Sequence, residues 1–262
     1  MRIAAVSDIH GNLPALEAVL QDIERAGAEL TVNLGDILSG PLWPAETAER
    51  LMPLGLPTIA GNHERQLLTL PRERMSPSDA HAAAQLGSLH RAWLAGLPDT
   101  LWLAADVLLV HGTPASDLQY NLETVTPDFG RAGSPGVRAA LAGEVAQRFG
   151  GLSASLVLCG YTHMPRIAQA GGTLVVNPGS VGLQAFDDAW PHLHVVETGS
   201  PHARWALLER QREGWAVELR AVPYDWETAA RQADANGRPD WADALRTGRV
   251  GRFEAEATGA GS

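Results

Sequence analysis

Cysteine is almost missing from this chain: Cys159 stands alone among 262 residues. One thiol excludes an internal disulfide framework and a multi-thiolate zinc cage. Its place at the end of "SLVLC" reads as a buried strand residue rather than a nucleophile. Positive charge is scarce too. Lys and Arg total 20 against 30 Asp and Glu, a formal net charge of -10 with no basic run. Long nucleic acid is therefore not an expected partner, because such binding depends on neutralised phosphates. No run reaches the roughly 18 apolar residues of a membrane span, and "MRIAAVSDIHGN" turns polar too early for a signal peptide. A cytoplasmic protein without membrane contact is the expectation. There is also no internal repeat and no Ser/Gly-rich linker. With 45% hydrophobic residues, the chain can bury a sizeable core; residues 1–253 are expected to form one domain and 254–262 a flexible tail.

Short aliphatic runs alternate with helical patterns in the first third. "RIAAVS" (2–7), "LTVNLG" (30–35) and "LPTIAG" (56–61) read as strands, while 13–27 and 43–52 read as helices with Pro14 and Pro44 in their first turns. That rhythm predicts a parallel sheet covered by helices. Helices are expected over about 64–96, strands at 100–112, a loop at 113–136 and a helix near 137–149. From 154 onward strands and hairpins dominate, including a Gly-Gly turn in "RIAQAGGTLVVN". Two short helices follow between Trp226 and Gly248. The fold class expected is α/β, with a second, largely antiparallel sheet.

Five polar clusters each stand where an apolar strand gives way to a loop: Asp8-Ile-His10, Gly35-Asp36, Gly61-Asn62-His63-Glu64, His111-Gly112 and Gly160-Tyr161-Thr162-His163. Each has an ordinary explanation. A strand-end Asp can cap a helix, Gly-Asp marks a turn, Asn62 can cap the helix that Glu64 begins, and His111 suits a core histidine. Parallel sheets, however, bring the carboxyl ends of their strands to one crevice, so all five clusters can converge. Carboxylate, imidazole and amide donors without thiolate favour Mn, Fe or Zn at a reactive site over a structural zinc cage.

In this order the clusters resemble the calcineurin-like metallophosphoesterases, whose pattern is D-x-H, G-D, G-N-H-[DE], H and G-H-x-H. "SDIHGNLPALEAVL" and "NPGSVGL" are similar to the bacterial phosphodiesterase branch. The resemblance implies a four-layer αββα sandwich of two mixed β-sheets flanked by helices. It also implies two divalent ions, Mn or Fe in the first instance and Zn or Ni as further candidates. Asp8, His10, Asp36 and His163 would hold one ion; Asp36 would bridge to a second held with Asn62 and His111. Hydroxide from a metal-activated water would attack phosphorus, with Asp36 and His63 as catalytic residues and His63 stabilising or protonating the leaving oxygen. Glu64 is a candidate to orient His63 or a plain helix N-terminal carboxylate. Asn12 and Arg166 are candidate substrate contacts, Trp43, Phe186 and Trp190 candidate stacking residues, and the 113–136 loop, with Tyr120, Asn121, Phe129 and Arg131, a candidate lid.

One element departs from the pattern. Where G-H-x-H has its first histidine, this chain has Tyr161, which leaves the second ion with Asp36, Asn62 and His111. Water could fill the gap, a phenolate could bind, or the second position could be empty. The function expected is hydrolysis of a small phosphorylated substrate, a small-molecule or nucleotide phosphodiester. A weakly active or non-catalytic phospho-ligand-binding protein is the alternative, followed by a nuclease or a Ser/Thr-type phosphatase. Against the last, "GDILSGP" and "AGNHE" lack the arginines typical of such phosphatases.

Overall fold

The computed structural model of the protein describes residues 1–258. Its elements are β1 (Arg2–Val6), α1 (Leu13–Ala26), β2 (Leu30–Asn33), α2 (Pro44–Leu51), α3 (Asn62–Thr69), α4 (Pro77–Gln85), α5 (Ser88–Ala95), β3 (Thr100–Ala104), β4 (Val107–Val110), β5 (Glu123–Val125), β6 (Val137–Ala139), α6 (Ala142–Arg148), β7 (Leu156–Leu158), β8 (Arg166–Ala170), β9 (Thr173–Asn177), β10 (Ala185–Asp188), β11 (His194–Glu197), β12 (Ala203–Gln211), β13 (Gly214–Val222), α7 (Trp226–Ala235), α8 (Pro239–Thr247) and α9 (Glu254–Thr258).

Alternation of side chains along the strands sets the layers. Ala4 and Val6 of β1 pack against Leu16, Val19 and Ile23 of α1. Their neighbours Ile3 and Ala5 face the other way, toward Leu109, Leu156, Leu158 and Val176 of a second sheet. The opposite face of that sheet, with Leu108, Val110, Val157 and Val175, is covered by Val145 and Phe149 at α6. The order is thus helix, sheet, sheet, helix. Both sheets are mixed: β13-β12-β1-β2 in one and β3-β4-β7-β9-β8 in the other, with β1 and β2 parallel and β4, β7 and β9 parallel.

Local pattern located α1 well. Asn12 caps it by accepting a hydrogen bond from Ala15 N at 3.2 Å, and Gly27 closes it in the left-handed conformation at φ 66°, which glycine adopts without steric cost. Four expectations need correction. The run 56–61 is no strand: it makes a single bridge, Asn33 to Thr58, because Pro57 has no N–H for a ladder. Residues 137–139 are strand β6, paired with β5, so the helix begins later, at Ala142. The terminal hairpin β12–β13 joins the first sheet, where β12 pairs antiparallel with β1, and so the second sheet has parallel strands at its centre. Residues 254–258 form helix α9 where a frayed tail was expected; residues 259–262 lie outside the described residues. Cys159 is buried, as expected. Among the described residues no helix is long and apolar enough to cross a membrane.

Candidate metal centre

The loops after β1, β2, β4 and β7 meet at one end of the sheets, and α3 starts there. Asp8, His10, Asp36, Asn62, His111 and His163 are all buried at this end. Among the described residues six non-glycine residues have positive φ, and five of them are Asp8, His10, Asp36, Tyr161 and His163, at 52° to 71°. Each such residue costs on the order of 1–3 kcal/mol and persists where its surroundings hold it in place. Those surroundings are visible. Glu64 accepts backbone N–H bonds from Asp36, Ile37 and Gly61 at 2.8, 2.9 and 2.8 Å, tying the Gly-Asp loop to the start of α3. Ser180 Oγ donates to Asp8 O at 2.7 Å and accepts from Leu183 N at 2.8 Å, so "NPGSVGL" buttresses the β1 loop. At Gly61 and Gly160 the backbone passes too close for a side chain: a Cβ would strike Asp36 Oδ1 or Ser7 Oγ respectively.

Three imidazoles share one arrangement. The Nδ1 atoms of His10, His111 and His163 lie 2.7 Å from the carbonyl oxygens of Ser39, Leu34 and Leu183 respectively. Each Nδ1 thus donates, which leaves each Nε2 as the ring position open to a ligand. Those positions converge. His10 Nε2 and His163 Nε2 are 3.1 Å apart, and two facing lone pairs suit a cation shared between them. His111 Nε2 lies 3.1 Å from Asp36 Oδ2 without hydrogen-bond alignment, and Asp8 Oδ2 and Asn62 Oδ1 are buried with no partner. The donor atoms fall into two groups, Asp8 with His10 and His163, and Asp8 with Asp36 and His111, each within 4.8 Å of one another. Orphaned buried acceptors are costly unless something binds them, so the residues fit a cation site. The carboxylate common to both groups is Asp8, whereas the resemblance gives bridging to Asp36.

Burial and neighbouring charge act differently on these groups. Burial pushes the Asp8 carboxyl up to about 7, against the pull of His111 and with the push of Asp36. Burial also lowers His10 to about 4 and His163 well below its usual value. For His111 burial acts downward, yet Asp36 holds it up to about 9. Asp36 itself, although burial opposes this, is held below the usual carboxylate range by His111 and His63.

A family model described as the calcineurin-like phosphoesterase superfamily domain matches residues 1–200. The chain belongs to that superfamily. Members of this calcineurin-like phosphoesterase group are metal-dependent, and the two Asp/His groups are where this chain can bind metal. A metallophosphoesterase from Sphaerobacter thermophilus, known from its crystal structure, is 25% identical; the match covers 95% of this chain and all of the other, with a TM-score of 0.70. An uncharacterized protein of Methanocaldococcus jannaschii is 24% identical over 254 residues, 91% of this chain and 94% of the relative. Phosphodiesterase YfcE of Escherichia coli K12 is 43% identical over 68 residues, 23% of this chain and 37% of that enzyme.

A cleft of about 330 Å³ opens on this centre, with His10, Asp36, Asn62, His63, Tyr161 and His163 in its wall. His63 sits beside the donors, its ring edge-on to His10 at 5.5 Å between centroids. Its orienting partner is Asp79, with Nδ1 2.8 Å from Oδ1, and not Glu64, whose oxygens are spent on backbone N–H groups. Asp36 and Asp79 hold His63 up to about 10 in spite of burial. Asp79 lies 16 residues further on in α4, where "SPSDA" signals only a helix start. Nothing local in the sequence marked it.

Other expected contacts are placed elsewhere. Asn12 is fully buried and donates to Gly182 O at 2.8 Å and to the Tyr224 hydroxyl at 3.1 Å, so it turns and anchors the chain. Arg166 is absent from the cleft wall and donates from Nε to the buried Glu123 at 2.7 Å. Of the loop 113–136, Leu118 reaches the cleft; Tyr120 and Asn121 are buried and Phe129 packs on Phe253. Trp43 packs into the α7–α8 core. Phe186 and Trp190 do line the cleft.

Proposed function

We propose that the protein is a metal-dependent hydrolase of small phosphodiesters with a dinuclear centre, supplied with Mn or Fe. The observation that supports this most is the set of three Nδ1-anchored imidazoles whose free Nε2 atoms meet two buried carboxylates and the orphaned Asn62 Oδ1. In this reading Asp8, His10 and His163 hold one ion, Asp36, Asn62 and His111 the other, and Asp8 and Asp36 stand between them. Bound divalent ions supply Lewis-acid polarisation of phosphoryl oxygens and a water acidic enough to act near neutral pH.

The chain's own residues do the rest. Glu64 and Ser180 fix the loops that carry the donors, so the site needs little reorganisation on binding. In this reading His63 is locked at Nδ1 by Asp79, which favours its protonated form and offers an Nε2 proton to the leaving alkoxide as the ester P–O bond breaks. Water provides the new P–O bond, and the products are an alcohol and a phosphomonoester. We also place α9 within the catalytic domain, because Glu254 Oε1 accepts from Arg238 Nη2 at 2.9 Å.

Tyr161 keeps the weakly active alternative open as a second reading. Burial and the carboxylates of Asp188, Asp36 and Asp117 raise its phenol further above the ordinary value. In this second reading it is a neutral neighbour of the second ion, which keeps Asp36, Asn62 and His111. Elemental analysis together with turnover of bis(p-nitrophenyl) phosphate and p-nitrophenyl phosphate in added Mn²⁺ tests the proposal. Diester turnover that requires the metal is expected. No turnover with any divalent ion, alongside retained binding of a phosphorylated ligand, would favour the alternative.

A further inference from the structure

The cleft has a second half with no metal donors. Its wall comes from the β10–β11 hairpin, α8 and the segment leading to α9, and includes Phe186, Trp190, Trp241 and Val250. Trp241 is 7% exposed, covered by Arg238 at 5.6 Å and edge-on to His10 at 5.7 Å. Phe186 is edge-on to the donor His163 at 4.7 Å between centroids. Trp190 differs: it lines the same cleft yet is 71% exposed. Its backbone N donates to Asp188 Oδ1 at 2.8 Å, which fixes the hairpin tip. It stands four positions after Phe186, a reach of at most about 14 Å.

Charge narrows what this half can take. Asp187, Asp188, Asp240 and Glu254 line it, with Arg238 and Arg252 as its cations. Both arginines are engaged. Arg238 donates to both oxygens of Asp240, to Ser78 and to Glu254, and Arg252 pairs with Asp243 at 3.2 Å. A second phosphate would meet carboxylates rather than free cations, and an acyl chain would strip water from Asp187 and Asp188, each held by one backbone N–H, without replacing the lost hydrogen bonds. A flat ring bearing O–H and N–H donors satisfies both the indole and the carboxylates.

We propose that this half is a subsite for a nucleoside-type group of a diester carrying a single phosphoryl, and that Trp190 is the residue that selects it by stacking. The proposal rests on the phosphodiesterase reading above.

Two substrates with the same leaving group test it: thymidine 5′-(p-nitrophenyl phosphate) and methyl p-nitrophenyl phosphate, with the Mn²⁺-loaded full chain. The wild type should prefer the thymidine ester in kcat/KM, mainly through KM. In Trp190→Ala that preference should fall about tenfold, ~1.4 kcal/mol, and Trp190→Phe should restore most of it. Equal preference in wild type and Trp190→Ala, or no preference in the wild type, overturns the subsite. If neither ester is hydrolysed, the catalytic reading fails, and thymidine 5′-monophosphate binding by calorimetry decides the subsite alone. Binding weakened about tenfold in Trp190→Ala supports it; binding equal in both proteins overturns it.

Discussion

The two halves of the cleft are built on opposite principles. On the donor side the six candidate metal donors are buried, several backbones are in the left-handed region, and the three donor imidazoles are each pinned by a carbonyl. On the hairpin side the most prominent residue, Trp190, is 71% exposed, and the wall is assembled from elements late in the chain. The contrast separates reaction from recognition. Chemistry on charged groups needs preorganised, water-poor surroundings; selection of a leaving or retained group needs an open surface that can still lose water on binding.

Substitutions should therefore act unequally on the two sides. Asp36→Ala is expected to cost the most, on the order of a thousandfold in diester turnover with loss of bound metal, since the ions carry several kcal/mol of the barrier reduction. Retention of both ions and of the rate would place the chemistry elsewhere. Acidification comes next. Metal-free His111 is protonated below about 9 and Asp8 below about 7, so a cation displaces one proton between those values and two below them. Affinity should fall with pH by up to tenfold per unit in the first range and up to about a hundredfold in the second, as titration calorimetry in buffers of different ionisation heat would show. A pH-independent affinity would contradict these donors.

Asp79→Asn should lower kcat about ten- to a hundredfold while KM stays within twofold, the signature of an orienting partner; an effect on KM alone would make Asp79 a binding residue. Tyr161→His should tighten the second ion about tenfold and raise turnover, read as metal stoichiometry at limiting Mn²⁺. Unchanged stoichiometry and rate would mean that the second position is already complete. Smallest for catalysis is Asn12→Ala. It removes the α1 cap and costs about 1–2 kcal/mol of stability by denaturant unfolding, with KM unchanged, whereas a raised KM would restore Asn12 to the substrate side.

Much of the donor side was legible in the sequence, because the candidate donors stand in short glycine-containing clusters at strand ends. The pattern Asp8-x-His10, Gly35-Asp36, Gly61-Asn62-His63, His111-Gly112 and His163 needs only local rules to read. Asp79 was missed because its link to His63 is a tertiary contact between α3 and α4. Arg166 and Asn12 show the converse: proximity in sequence to the motifs did not decide where their side chains went. Glu123 and Gly182, both distant in the chain, did.

By itself the sequence determined the strand ends, the donor types and their order, because turn chemistry and hydrophobic period act over a few residues. Only the tertiary structure decided that β12–β13 closes the first sheet, that Asp79 rather than Glu64 holds His63, and that Trp190 remains open while Trp43 and Trp241 are packed away. Those outcomes depend on contacts between residues tens to hundreds of positions apart, whose pairing follows from how the layers bury their faces together.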